Sequence, residues 1–201
     1  MSYKARPLQR LSTGLCTTLL LIFGIGCKSP LATNAEARDA VVALKKLQAK
    51  TETGIVYAEY TSALGDANYA VKAYLETDQA KTTKDFSVSL QDSIKWYQAA
   101  SEIWSKSLGE YNIGRTSETC ATPFHSTNTL CADYPELILP VYGLGATKEP
   151  GIHYKLAMQE AWQFATYSSD NAQLALQGKP IKDNARLQEV FSSGLREQLS
   201  K

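Results

Sequence analysis

Histidine and cysteine are scarce in this sequence, which has only 2 His and 4 Cys among 201 residues. So few nitrogen and sulfur donors leave little material for a protein-bound metal cluster. The chain also lacks a charge excess, because its 21 Lys+Arg and 20 Asp+Glu give a formal net charge of +1. This balance removes any global argument for nucleic-acid binding. A hydrophobic fraction of 44% is typical of a globular domain and excludes a disordered or multi-span membrane protein.

Motifs of familiar catalytic sites are missing as well. The sequence has no P-loop, no dinucleotide-binding fingerprint and no nucleophile elbow. It also lacks the Glu-x-x-His pairs of di-iron bundles and the Cys-x-x-Cys-His of covalent haem. The candidate bases are His125 and His153, which we expect to be partly exposed polar side chains. The sequence therefore predicts a non-catalytic protein without cofactor or metal, and an enzyme using His153 and a nearby acid is an alternative.

The N-terminus has the pattern of an export signal. Lys4, Arg6 and Arg10 are accompanied by no acidic residue, and an apolar stretch of about 12 residues follows them. A membrane-spanning helix needs roughly 20 apolar residues, so this stretch is too short to remain as one. We expect residues 1–26 to be removed as a signal peptide, which takes away three cations and leaves a slightly acidic mature chain.

The apolar stretch ends in Gly24-Ile25-Gly26-Cys27. Small residues before a cysteine resemble the lipobox of bacterial lipoproteins, although Gly24 stands where that family prefers Leu. The resemblance implies that the Cys27 thiol carries palmitate-type acyl chains and that the peptide is cut just before it. It also implies a protein anchored to a membrane of the bacterial cell envelope, facing the periplasm or the exterior, since two or three acyl chains anchor stably without a spanning helix. An ordinary secretory signal and a retained anchor are the alternatives.

The mature chain follows the pattern of a helical protein. Beyond a tether at 27–33, apolar residues recur every three or four positions in several segments, which is the signature of amphipathic helices. We therefore predict one helical-bundle domain over 34–201. Its predicted fold class is all-α, an up-down four-helix bundle with one long disulfide-containing crossover loop between helices two and three. A short helical solenoid is the alternative.

Four helices are predicted. The first is the longest, and the apolar phase slips near Gly54, so we expect either a helix that protrudes from the bundle or a kink near Gly54 or Gly65. The fourth has a stripe of large apolar residues at intervals of four: Leu187, Phe191, Leu195 and Leu199. The first helix is predicted from Ala35 to about Gln79, and the second ends near Leu108. The third runs from just after Gly151 to about Leu176, and the fourth covers about 183–199.

The predicted crossover loop, 109–148, contains Cys120 and Cys131. In an exported protein a disulfide is the natural interpretation of this pair, and a bridge of that span stabilises by roughly 3 kcal/mol in the chain-entropy model. A metal site that adds His125 is the alternative, but the spacing matches no common zinc pattern. The one regular element expected in the loop is a short helical turn near Pro135–Leu139.

A second resemblance covers about residues 40–108. The block 43–55, followed by Tyr57, Tyr60, Leu64 and Ala67, is similar to a set of uncharacterised bacterial helical proteins with exported or lipidated N-termini. Those proteins pair such a helix with a second one that carries aromatic residues like Trp96-Tyr97 and Trp104. The resemblance implies an envelope address and brings no chemistry.

Aromatic residues are the clearest candidates for a binding site. Tyr57, Tyr60, Trp104 and Trp162 lie on stripes assigned to the core, yet Tyr and Trp also line ligand pockets and partner surfaces. We predict a non-catalytic module that binds another envelope protein through 109–148 and the ends of helices one and three. A small-ligand binding protein with a pocket formed by the four aromatic residues is the alternative, and no nucleic-acid partner is expected.

Overall fold

The computed structural model describes residues 30–111, 115–120, 129–142 and 148–182. Most of them are helical, and none of the helices within these ranges is both long and apolar enough to span a membrane. The predicted signal peptide, Cys27, His125 and the predicted fourth helix lie outside the described residues. The elements, in chain order, are α1 Pro30–Thr33, α2 Ala35–Thr53, α3 Tyr57–Leu75, α4 Asp78–Thr82, α5 Lys84–Tyr111, β1 Ser117–Thr119, α6 Thr129–Asp133, β2 Leu139–Tyr142, β3 Lys148–His153 and α7 Tyr154–Leu176.

The predicted first helix is wrong as a single rod, because the chain turns at Gly54 into a helical hairpin. α2 ends at Thr53, and Gly54 adopts φ +91°, a conformation that a side chain strongly disfavours. After three connecting residues α3 begins at Tyr57 and packs along α2, so the two helices are antiparallel neighbours. The phase slip seen in the sequence at this point marks a chain reversal rather than a kink.

α5 and α7 form the centre of the helical body, and their contact is the most extensive between any two described elements. Small side chains permit the close approach, since Ala99, Ala100, Ala161 and Ala165 are completely buried. The hydroxyl of Ser93 on α5 donates a hydrogen bond of 2.9 Å to the backbone carbonyl of Ala165 on α7. The hairpin of α2 and α3 packs on this central pair, with Lys45 of α2 paired to Asp170 of α7.

The crossover region contains a small antiparallel sheet, which corrects the all-α prediction. The strand order is β1-β3-β2, with Ser117 opposite His153 and Leu139 opposite Gly151. A Cβ atom at Gly151 would collide with the Glu118 carbonyl and the Val141 side chain, so the central strand needs glycine there. The strands are short, and β2 and β3 each contain a proline, so the sequence showed no alternating strand pattern.

The predicted disulfide between Cys120 and Cys131 is confirmed. Its Cα atoms are 5.8 Å apart, and the bridge joins the end of β1 to α6. The Cys120 N–H also donates to the Pro150 carbonyl at 2.8 Å, which fixes the bridge against β3. Because both thiols are consumed, they are not available as ligands for the alternative metal site. The predicted turn is present as a 3-10 helix at Pro135–Leu137, whose Leu137 is fully buried.

Candidate functional site

Three helices bring the four predicted aromatic residues together into what we call the aromatic cluster: Tyr57, Tyr60, Trp104 and Trp162. The rings of Tyr57 and Trp104 are 5.4 Å apart and edge-on, and those of Trp104 and Trp162 are 5.8 Å apart in a similar geometry. Tyr60 contacts both indoles, at 5.6 Å from Trp104 and 5.8 Å from Trp162. These spacings are favourable for aromatic pairs, so the cluster joins α3, α5 and α7 at one level of the body.

Tyr60 is the buried centre of the aromatic cluster. Its hydroxyl donates a 2.6 Å hydrogen bond to the Tyr97 carbonyl and accepts one of 3.2 Å from the Trp162 indole N–H. Burial raises the pKa of Tyr60 well above its ordinary value, and the neighbouring Tyr97 adds to the rise. The hydroxyl therefore keeps its proton at neutral pH, and its role is to orient the two rings that flank it.

Removing the Tyr60 hydroxyl should destabilise the chain by about 1–2 kcal/mol. A Tyr60→Phe variant loses the buried hydrogen bond to the Tyr97 carbonyl and the part-buried one from the Trp162 N–H, and hydrogen bonds of this kind contribute roughly that much. Urea unfolding of the variant measures the loss. Tyr69→Phe is the matched control, since Tyr69 is 78% exposed on the same helix and should change stability very little. Equal stability of the two variants would contradict the orienting role.

The rim of the cluster carries apolar side chains that face solvent, which we call the aromatic surface: Val56, Tyr57, Trp104, Leu108 and Tyr111. On α5 the last three are spaced at intervals of four and three residues and so share one face. Leu108 is 49% exposed and Tyr111 is 79% exposed, while Tyr57 and Trp104 are half-buried. The second helix was predicted to end near Leu108, and α5 in fact continues to Tyr111.

His153 lies where β3 passes into α7. It is half-buried, and its Nδ1 atom has no hydrogen-bond partner in the described part of the chain. Glu118 of β1 forms a group of polar contacts with the neighbouring helices: its Oε2 is 2.5 Å from the Lys106 ammonium and accepts a 3.2 Å hydrogen bond from the Tyr154 hydroxyl. Burial and then this carboxylate raise the pKa of Tyr154. These contacts of Glu118 tie α5 and α7 to the sheet. None of them is a hydrogen bond between an acidic side chain and His153.

A shallow polar cleft of about 260 Å³ lies at the other end of α7, lined by Asp170, Gln173, Leu174, Gln177 and Lys182. It contains none of the four aromatic residues. Over the described ranges, no group of three His, Cys, Asp or Glu residues is arranged to hold a metal ion. Among the described residues, the aromatic cluster and its exposed rim are therefore the strongest candidate for a binding site.

Sequence reasoning found the members of the cluster but missed two other features of the structure. The exposure of Val56 and Tyr111 depends on the turn at Gly54 and on the residue at which α5 ends. The spacing of apolar residues predicts neither of these two features. Glu160 of α7 is 6% exposed and its Oε2 has no hydrogen-bond partner in the described chain. The one available signal was its place between Ala157 and Ala161, both completely buried.

No protein-family profile matches the chain, and no curated protein or solved structure is significantly similar to it.

Proposed function

We propose that this protein is a lipid-anchored module of the bacterial cell envelope that binds another envelope protein through the aromatic surface. The observation that carries this proposal is the aromatic surface itself, in which half-buried Tyr57 and Trp104 adjoin the exposed Leu108 and Tyr111. Tyr and Trp are enriched at binding hot spots, because they bury large areas and lose few rotamers. The cluster beneath holds Trp104 in place before any partner arrives, which lowers the entropic cost of association.

The start of α2 and the aromatic surface lie at opposite ends of the body. α2 starts shortly after Cys27 and carries the chain about 28 Å to the Gly54 turn, at 1.5 Å per residue. The contact of Tyr57 with Trp104 shows that the last turns of α5 lie at the Gly54 end. A lipid on Cys27 would therefore hold the aromatic surface away from the bilayer, where it meets proteins rather than acyl chains.

The same proposal includes an up-down four-helix bundle formed by α2, α3, α5 and α7, with the crossover region at the Gly54 end. The segment 183–199, predicted as the fourth helix, would then be a fifth long helix beside it. The sheet and the disulfide then border the aromatic surface through β1, which follows α5 after a short connection. This arrangement agrees with the predicted use of 109–148 as part of the contact surface.

Replacing Cys27 should release the protein from the membrane. A Cys27→Ser precursor has no thiol to acylate, so it should move from the membrane fraction to the soluble or uncleaved pool, and its mass should lack the acyl chains. Cys16→Ser is the matched control, because Cys16 lies within the predicted signal peptide and should leave lipidation intact. A Cys27→Ser chain that stays on the membrane with a processed, acylated N-terminus would contradict the anchor.

Charges placed on the aromatic surface should abolish partner binding. Photo-crosslinking groups at position 108 or 111 should give one discrete protein adduct in intact cells, and Trp104→Asp should reduce that adduct at least tenfold. The same group at the equally exposed Tyr69 position is the control and should give no such adduct. Adducts of equal yield from position 69, or adducts that persist in the Trp104→Asp chain while its α-helical signal is unchanged, would reject this surface.

A further inference from the structure

The two outer strands of the small sheet, β1 and β2, each pair with β3 on one side only. On the other side, no further strand pairs with either of them within the described residues. The outer side of an edge strand presents backbone N–H and C=O groups that can pair with another polypeptide. The register of the ladder shows which residues present these groups.

Hydrogen bonds at both ends of β1 fix its register against β3. The Cys120 N–H donates to the Pro150 carbonyl at 2.8 Å. The Tyr154 N–H donates to the Thr116 carbonyl at 3.1 Å. In an antiparallel ladder, residues that bond to the neighbouring strand alternate with residues whose N–H and C=O point to the other side. The even-numbered residues of β1 therefore bond to β3, and Glu118 is one of them.

The outward backbone groups of β1 belong to Ser117 and Thr119. Each directs one N–H and one C=O away from β3, and neither residue has a further backbone hydrogen bond within the described chain. Both residues are half-buried. Two donors and two acceptors spaced two residues apart match an extended polypeptide, whose own N–H and C=O groups repeat at this interval.

The outer edge of β2 is less suited to pairing. Leu139 of β2 is paired with Gly151, and Gly151 is one of the odd-numbered residues of β3 whose backbone faces β2. By the same alternation, Pro140 is an outward residue of β2. Proline has no N–H to donate, and proline at a sheet edge opposes the addition of another strand. β1 contains no proline, so its outer edge keeps each of its donors.

The β1 edge adjoins the aromatic surface. The Arg115 N–H donates to the Glu110 carbonyl at 3.3 Å, so the chain lies against the last turn of α5 just before β1 begins. Ser117 is two residues further on, at most about 7 Å from Arg115. Tyr111 follows Glu110 directly and is 79% exposed. A segment paired with β1 can therefore also reach the aromatic surface.

We propose that the partner is recognised as an added strand. An extended segment of the partner protein pairs with the outward groups of Ser117 and Thr119, and an apolar side chain beside that segment packs on the aromatic surface. This inference rests on the proposed function and specifies the form of the partner. The backbone hydrogen bonds contribute affinity, and the aromatic surface selects the side chain. Glu118, held by Lys106 and Tyr154, fixes the strand between the two pairing residues.

Proline substitutions test the pairing, because they remove outward donors and leave the bonds to β3 in place. Thr119→Pro should reduce the adduct from a photo-crosslinking group at position 111 about fivefold in intact cells, and Ser117→Pro with Thr119→Pro should reduce it by about tenfold or more. Thr119→Ala keeps the N–H group and is the matched control, with an unchanged adduct. Urea unfolding should show all three variants close to the parent in stability, since an edge strand tolerates proline where the N–H points outward.

Photo-crosslinking groups at positions 117 and 119 of the parent chain give a measurement that does not depend on the proline variants. They should capture the same protein as position 111, and their attachment points on it should lie two residues apart, because paired strands advance together. Adducts from 117 and 119 with none from 108 or 111 would support the added strand and reject the aromatic surface. The inference is wrong if 117 and 119 give no adduct or scattered attachment points, or if the adduct from 111 persists at full yield in the folded proline variants. In this last case the proposed function still stands.

Discussion

A Glu160→Gln variant is expected to gain on the order of 3 kcal/mol of stability relative to the parent chain as the pH rises from 4 to 8. Burial raises the pKa of Glu160 from 4.5 to about 7, so between those values the folded chain binds a proton that the unfolded chain has released. The free energy of unfolding of the parent therefore falls as the pH rises through this window and levels off above about pH 7. Glutamine does not titrate and lacks this decline.

The measurement is urea unfolding of both chains at several pH values, compared as a difference so that other titrating groups cancel. The change of that difference with pH is the test, since a buried amide brings an offset of its own that does not depend on pH. Glu59→Gln on the exposed face of α3 is the control and should show a flat difference. A flat difference for Glu160→Gln as well would show that the carboxyl group is solvated.

Removing the disulfide should lower the free energy of unfolding by about 3 kcal/mol, the chain-entropy estimate for a loop of this length. A Cys120→Ser, Cys131→Ser chain has a freer unfolded state, and it also loses the covalent link between β1 and α6. Reduction of the parent chain should give the same loss, which separates the bridge from the effect of the serine side chains. The readout is urea or thermal unfolding with and without reductant.

Ala132→Ser is the matched control for the disulfide variant. Ala132 is exposed on α6 next to Cys131, so a serine there should change stability by a few tenths of a kcal/mol at most. Loss of the sheet alone can be distinguished from unfolding of the whole chain, since loss of the sheet leaves α5 and α7 helical. A reduced chain as stable as the oxidised one would mean that the crossover region already holds together without the bridge.

The long helices were predictable because each has one apolar face, which appears in the sequence as apolar residues at every third or fourth position. On α5, Phe86, Leu90 and Tyr97 are spaced by four and seven residues and all are buried, and α7 ends at the expected Leu176. Those stripes also carried the aromatic cluster, since Tyr60, Trp104 and Trp162 lie on the faces that three packed helices turn toward one another. The spacing of apolar residues indicates which face of a helix is buried. It does not indicate at which residue the buried part of that face ends.

The parts that were not predictable depend on contacts between distant residues. β3 contains Pro150 and Gly151, which read locally as a turn, and it becomes a central strand only because β1 and β2 bind to it from either side. The hairpin at Gly54 is similar, since a glycine in an otherwise helical run fits a kink equally well until the packing of α3 on α2 decides. Glu160 is likewise buried by the packing of the folded chain, so its neighbours in the sequence do not predict its burial.

The strand order of the small sheet has a consequence for the way the crossover region is assembled. β3 lies between β1 and β2 although it is the last of the three along the chain. In a nascent polypeptide that emerges N-terminus first, both thiols are present before the Pro150 carbonyl that later receives the Cys120 N–H. Early oxidation thus links β1 to α6 before β3 has been made, and β3 must then enter between β1 and β2 with the bridge already formed.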